Sequence, residues 1–415
     1  MRAIYSIALT SVAHLSKIVT GFILIKLVAM YLGVEGLGKL GNFMNAVALL
    51  YLLAGGGVIN GVVKYVAEYN NRPRALLSFV STAATYSFIV SVLIFLLVAT
   101  FSARISSYVF GSSEYFPAII FLACAQLGFA FSNMVIGVAN GLRDTKTFAK
   151  IQILGNSIAF PFSWYLIAEY KLLGAILAIV FSYLLYVFPA FYLFVKSKFW
   201  GRIFFTGFKD KGFLKLFSYS LMVCAGAISF PLVEMLVREM IIRSYGYQAA
   251  GLWQASIRLS SAYLGFFTIF LAYYFVPLIS AENNKNEIGR MVLKFLIFVS
   301  VIFLAGATVF YIRREFFIGL LLSHEFEPLG DLIKYQLLGD FFKISAYVIG
   351  FVGVAKAALK LYLAAELFQG GAFLLTTWLS VQQGFGLEGV LVSYVITNFI
   401  YFILACAGIV IYVKR

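Results

Sequence analysis

GVEGLGKLGNFMNAVALLYLLAGGGVINGVVKYVAEYNNR, residues 33–72, has a counterpart 213 positions later in GYQAAGLWQASIRLSSAYLGFFTIFLAYYFVPLISAENNK, residues 246–285, without a gap. Gly33 falls on Gly246 and Gly38 on Gly251, a long apolar run follows in each, and each closes on Asn-Asn-Arg/Lys at Asn70 to Arg72 and Asn283 to Lys285. Five identities in forty positions carry little alone; the shared register of turn, run and polar exit carries more. A second pair keeps nearly the same spacing. YKLLGAILAIVFSYLLY, residues 170–186, matches FGLEGVLVSYVITNFIY, residues 385–401, at an offset of 215. The chain reads as two copies of one half.

What such a half is made of follows from composition. With 62% hydrophobic residues, 12% charged and seven prolines in 415 positions, this is not the make-up of a water-soluble globule. Apolar stretches of about 18 residues or more, each able to cross the hydrocarbon core as a helix, recur along the whole length. Twelve are expected: 7–30, 40–63, 79–100, 116–140, 151–168, 174–195, 216–242, 252–276, 291–311, 332–355, 361–379 and 389–413. The first is too long, and lacks the small-residue cleavage site, for a removable signal peptide.

The net charge of +15 is distributed by side and does not form one patch for nucleic acid. If the N-terminus and every second loop share a side, that side holds 20 Lys and Arg: Arg2; Lys64, Arg72, Arg74; Arg143, Lys146, Lys150; six from Lys196 to Lys215; Lys285, Arg290, Lys294; Lys356, Lys360; Lys414, Arg415. The other side has six: Lys39, Arg104, Lys171, Arg243, Arg313 and Arg314. By the positive-inside rule both termini are cytoplasmic, as an even number of spans requires. Six spans per half make the repeats parallel, so the expected fold is all-α and integral to the membrane. It has twelve transmembrane helices in two parallel six-helix bundles around a central cleft. The expected division is 1–198 for the N-terminal bundle, 199–215 for a basic cytoplasmic linker, read first as a lipid-headgroup anchor, and 216–415 for the C-terminal bundle. Cys124, Cys224 and Cys406 lie in separate apolar helices without any CxxC, so they read as core thiols with no metal or disulfide.

Two enzymatic readings fail. Residues 33–40 spell G-x-x-x-x-G-K but lack the Ser or Thr that would hold magnesium, and no strand precedes them, so ATP is not expected. The glycines read better as an interhelical turn, which the second half keeps at Gly246 and Gly251 without the lysine. A membrane glycosyltransferase would need a large outer segment for its chemistry, and the longest outer loop expected, 312–330, has 19 residues.

With loop charges set aside, six cations and four anions remain at membrane depth: Lys17, Lys26, Arg238, Arg258, Lys334 and Lys343 against Glu234, Glu239, Asp340 and Glu366. A central charge costs about 2.5 to 3.5 kcal/mol there, so each must face water or a partner. Helical spacing sorts them into polar seams. Thr10, His14, Lys17 and Gly21 share a face; so do Gln254, Arg258, Ser261 and Gly265; so do Asp340, Lys343, Tyr347 and Gly350. Gln126, Asn133 and Asn140 form a heptad stripe. Lys26 and Lys334 are near helix ends, where snorkelling competes with any site role. Glu234 with Arg238, and Asp340 with Lys343, have the spacing of intrahelical pairs. Arg258 has no acidic residue within a turn and carries the planar fork that suits a phosphate; Lys17, beside His14, is the second candidate.

KYVAEY at 64–69, GLWQ at 251–254, YQLLGDFFKISAYVIG at 335–350 and AKAALKLYLAAELFQ at 355–369, on a frame of twelve spans, resemble the Wzx-type flippases of lipid-linked oligosaccharides. Within them the chain is most similar to the enterobacterial common antigen type, in the multidrug/oligosaccharidyl-lipid/polysaccharide exporter superfamily. The resemblance implies a bacterial inner-membrane protein that turns an undecaprenyl-diphosphate oligosaccharide from the cytoplasmic to the periplasmic leaflet by alternating access, for O-antigen or common-antigen synthesis. It implies a cationic cavity matched by Lys17, Lys26, Arg238, Asp340 and Lys343. It brings membrane lipids, and a polysaccharide polymerase and chain-length regulator, as partners, with no cofactor, ATP or nucleic acid. The alternative is a proton- or cation-coupled small-solute or drug antiporter of the same superfamily, with Asp340 or Glu366 as the coupling carboxylate.

Overall fold

A chain surrounded by hydrocarbon has no water to satisfy its peptide groups, so its apolar runs close their hydrogen bonds internally as helices. The computed structural model describes residues 2–205, 211–227, 229–356 and 358–414, with side chains for all of these except 2–8, 211, 222, 224–227, 229, 230, 359, 360, 362 and 363. The middle of the basic linker, including Lys209, and the side chains of Cys224 and Lys360 lie outside the described residues. Among the described residues there is no strand. In chain order the helices are α1 (Arg2–Leu53), α2 (Ile59–Tyr69), α3 (Pro73–Thr100), α4 (Ser102–Phe110), α5 (Phe116–Gly141), α6 (Thr145–Leu184), α7 (Val187–Val195), α8 (Lys211–Ala227), α9 (Ser229–Phe270), α10 (Val276–Ala281), α11 (Lys285–Ile312), α12 (Arg314–Leu321), α13 (Leu329–Ala355), α14 (Leu359–Gln382) and α15 (Gly386–Lys414).

Among the described residues, eight helical stretches are long and apolar enough to cross a membrane. Three of them, Leu9–Tyr69, Thr145–Val195 and Pro231–Ala281, hold two expected spans each. They turn at Gly33, Lys171 and Gly246, where the backbone leaves helical geometry. With α14 the twelve expected spans are accounted for. The seventh, expected at 216–242, passes through position 228, outside the described residues.

The repeat is written in the backbone. Gly33 (φ 64, ψ −165) and Gly246 (φ 81, ψ 177) sit in a region only glycine adopts readily, so a one-residue turn can join two long helices. Helices α3 and α11 are both 28 residues long, and each is followed by a short helix and a 3₁₀ turn, Ser113–Tyr115 and His324–Phe326. The second span of each half is irregular past its middle. In the first half Gly55, Gly56 and Gly57 all take positive φ, separating α1 from α2 by a 3₁₀ turn; in the second, Leu271–Phe275 forms a π turn. The triple glycine therefore interrupts the helix. It is braced by Ser91 Oγ accepting from Gly55 N at 3.0 Å and Ser87 Oγ donating to Gly55 O at 3.3 Å.

Two compact units emerge from the packing, one of Met1–Leu32 and Asn42–Ile228, the other of Gly33–Gly41 and Ser229–Arg415. Helix α8 belongs to the first unit. Leu216 is fully buried in a cluster with Val62, Phe79 and Tyr86, and Tyr86 OH meets Ser220 Oγ at 2.6 Å. The second unit has its own apolar core around Leu271, Phe275, Ile288, Val299, Ile344 and Val348. Cys124 is exposed and Cys406 half-buried, so neither is the enclosed thiol expected; an apolar helix face can as well meet lipid as core.

The turn corresponding to Gly386 (φ 68) is made in the first half by Lys171 (φ 49), a side chain in left-handed space. Such strain costs on the order of 1 to 3 kcal/mol. Lys171→Gly is expected to raise the melting temperature of the purified protein; an unchanged or lower value would show the turn to be relaxed as it stands.

Candidate functional site

Each unit carries its own polar cluster, built from the seams that helical spacing marks out. In the first unit Lys17 is exposed on α1, with Nζ 5.6 Å from the Tyr51 ring centroid and 6.0 Å from that of Tyr183. The two tyrosine rings pack at 4.5 Å. An ammonium held over two ring faces is attracted to their electron-rich surfaces. The walls are tied by amides. Asn133 Nδ2 donates to Tyr51 O at 2.9 Å, Asn156 Nδ2 donates to Ser16 Oγ at 3.0 Å, and Tyr186 OH donates to Asn156 Oδ1 at 2.7 Å. His14 lies against the Phe148 ring at 5.7 Å.

The heptad stripe on α5 is mostly enclosed. Gln126 is fully buried with Nε2 donating to Ser91 O at 2.6 Å, Asn133 is buried, and only Asn140 is exposed. The first two therefore join α5 to neighbouring helices inside the unit instead of facing open water. Interhelical amide bonds of this kind are common in membrane bundles, and periodicity alone does not distinguish them from a wet face.

In the second unit Arg238 is 0% exposed. Its guanidinium donates through Nη2 to Gln254 Oε1 and lies 5.2 Å from the Trp253 ring centroid. It occupies the place a Cβ at Gly41 would take. Asp340, also 0% exposed, accepts from Tyr263 OH, from Tyr394 OH at 2.7 Å and from Gln336 Nε2 at 3.2 and 3.3 Å. Lys343 is 7% exposed, 5.6 Å from the Tyr394 ring centroid and 6.0 Å from that of Tyr347. A cavity of about 50 Å³ is lined by Glu234, Trp253, Ser260, Ser261, Gln336 and Lys343, among others. That is room for water beside a buried ammonium and a carboxylate.

Structure thus brings Asp340 and Lys343 together, with Glu234 on the same cavity, and places Arg238 in packing with Gln254 and Trp253. Arg258 is half-buried, Lys26 and Glu366 are half-buried, and Lys334 is exposed. Glu239 pairs with Arg243 at 2.6 Å, which makes it a helix-end ion pair and removes it from the cluster. Tyr51, Tyr183, Tyr263, Tyr394 and Gln336 were not singled out by sequence. Gln336, four residues before Asp340, was the one with a legible signal.

Comparison with known proteins agrees with this architecture. The profile of the polysaccharide biosynthesis protein family matches residues 4–283. The lipid III flippase of Escherichia coli (strain K12) is 32% identical over 411 residues, covering 98% of both chains, and that of Shigella flexneri gives the same figures. Among solved structures, an inward-facing MATE family multidrug resistance transporter of the MOP superfamily aligns over 99% of both chains with a TM-score of 0.80 and 18% identity. The lipid II flippase MurJ, in an inward closed conformation, aligns over 96% of this chain and 86% of its own with a TM-score of 0.75 and 14% identity. These two show the fold. A multi-pass membrane protein with that fold, matched end to end by relatives at 32% identity, this chain belongs to the polysaccharide biosynthesis protein family.

Proposed function

We propose that the chain is a Wzx-type flippase of the bacterial inner membrane that carries a polyprenyl-diphosphate-linked oligosaccharide from the cytoplasmic to the periplasmic leaflet by alternating access. The observation that carries this reading is the 411-residue match to proteins named lipid III flippase. It also supports the enterobacterial common antigen type of glycan over O-antigen, and an undecaprenyl carrier. The substrate's diphosphate suits the cations Lys17 and Lys26 in the first unit and Arg238, Arg258 and Lys343, with Asp340, in the second. A polysaccharide polymerase and a chain-length regulator are the expected partners downstream. A drug antiporter of the same superfamily is not favoured, since its likeness to this chain is one of fold at 18% identity.

Moving an anion outward across an inside-negative potential is favourable by about 2.3 kcal/mol per charge per 100 mV, so a diphosphate can drive its own transfer. In a strain lacking its lipid III flippase, the chain is expected to restore surface glycan, and in proteoliposomes collapse of the potential is expected to slow net transfer. Failure to restore glycan at normal membrane levels would overturn the reading.

The 20-to-6 charge asymmetry supports a topology with both termini in the cytoplasm. In a cysteine-free background, a cysteine at Ser323 is expected to react with a membrane-impermeant thiol reagent on intact cells, and one at Asn284 only after permeabilisation. The reverse pattern would invert the topology.

A further inference from the structure

At the end of the second unit nearest residue 356, helices α13, α14 and α15 leave a cavity of about 300 Å³ whose lining is almost wholly apolar. Its walls include Gly350 and Gly353 from α13, Phe368 from α14, and Leu404 and Gly408 from α15, with Lys356 at one end. At all three glycines a Cβ would meet nothing within 4 Å, so the wall carries methyl-sized recesses opening on the cavity. Phe368 and Leu404 are 45% and 51% exposed, so the cavity is open along its side and not sealed in the core. Lys356 Nζ donates to the Glu282 carbonyl at 2.6 Å, which uses one of an ammonium's three donors.

An apolar slot with a cation at one end is complementary to a hydrocarbon chain attached to a phosphate. A straight acyl chain would leave the three recesses empty and forfeit their dispersion contacts, whereas each unit of an isoprenoid chain bears a methyl branch of the size they admit. The same α13 face carries Asp340, Lys343 and Tyr347 one to three turns before Gly350, so the slot continues the polar seam. We propose that this slot holds part of the isoprenoid chain of the carried polyprenyl lipid, with Lys356 facing its phosphate. This rests on the flippase reading above and names where within one unit the carrier is gripped.

The test is equilibrium binding of radiolabelled undecaprenyl phosphate to the purified full-length chain in phosphatidylcholine nanodiscs. Gly353→Leu and Gly408→Leu, which fill the slot, are expected to weaken binding about tenfold or more. Gly371→Leu, at an exposed glycine of α14 that does not line the slot and likewise has open space beside it, should bind as wild type. Lys356→Ala should weaken undecaprenyl phosphate but leave undecaprenol unchanged. Where a leucine variant does not fold, a photoreactive farnesyl phosphate read by peptide mapping replaces it, with crosslinks expected at 349–353 and 404–409. Wild-type binding by folded leucine variants, crosslinks elsewhere, or equal displacement by phosphatidylglycerol would each overturn the proposal. Glycan restoration by the unmodified chain separates the two readings: if it restores export and the leucine variants do so equally, the slot alone falls; if it restores none, the flippase reading falls.

Discussion

Gly251→Ala should leave little folded protein in the membrane, with Gly38→Ala close behind. A Cβ at Gly251 would overlap the Val34 carbonyl, and one at Gly38 would overlap that of Tyr247. By the 213 offset Val34 corresponds to Tyr247 and Gly38 to Gly251, so the two contacts are one contact repeated. Both obstructions are backbone, which cannot rotate away as a side chain can. Overpacking costs about 1 to 3 kcal/mol where side chains yield, and here nothing yields cheaply. Against a total stability on the order of 5 to 15 kcal/mol, the upper end of that range or beyond is enough to deplete the folded state. Gly265→Ala is the control, because that glycine is helical with open space around it, and alanine there should be neutral or favourable by up to about 1 kcal/mol. Size-exclusion profiles and melting curves of detergent-extracted protein read the difference. A Gly251→Ala protein that melts with wild type would show that the two turns are not packed as described.

The same pair explains why the fold was legible. A turn of one residue between two long helices needs the φ that glycine permits, and close approach of two such turns needs glycine again five residues on. The requirement leaves a mark in composition, at Gly33, Gly38, Gly246 and Gly251. Where the backbone makes an equivalent turn with Lys171, no mark is left, and only the matching stretch at Gly386 betrays it.

Charges in apolar helices were legible for a comparable reason, since each must be offset by something. What offsets them was not. The ring partners of Lys17 and two of the donors to Asp340 are tyrosines, and in a chain with 18% aromatic residues a tyrosine in a helix carries no information by itself. Helical period also told which residues share a face but not what the face meets. Gln126 and Asn133 meet other helices, while Lys17 on α1 is exposed. The i,i+4 spacing of Glu234 and Arg238 suggested a pair within one helix. Burial of Arg238 against Trp253, in the room left by Gly41, was set by packing between segments nearly two hundred residues apart.

Those environments separate residues whose loss should stop transport from residues whose loss should stop folding. Lys17→Ala, Arg258→Ala and Lys343→Ala are expected to abolish glycan export while membrane levels stay near normal. If they hold the diphosphate, losing a charged contact costs on the order of 2 to 5 kcal/mol in substrate binding, the upper end at buried Lys343 and the lower at exposed Lys17. Folding should tolerate the loss of Lys343, because Asp340 keeps the donors of Tyr263, Tyr394 and Gln336. Asp340→Ala is different. It would strand those buried donors at about 1 to 3 kcal/mol each, so protein abundance itself should fall. Arg238→Ala should behave likewise, leaving a cavity beside Trp253 and Gln254 without its bond. At position 17 arginine should retain part of the export that alanine loses, since the charge remains over the two tyrosine rings. Quantitative immunoblots of membranes beside a surface-glycan assay distinguish the two classes. Normal export by all three alanine variants at wild-type abundance would dispose of the cationic site, and an ion-coupled carrier centred on Asp340 or Glu366 would then be the better reading.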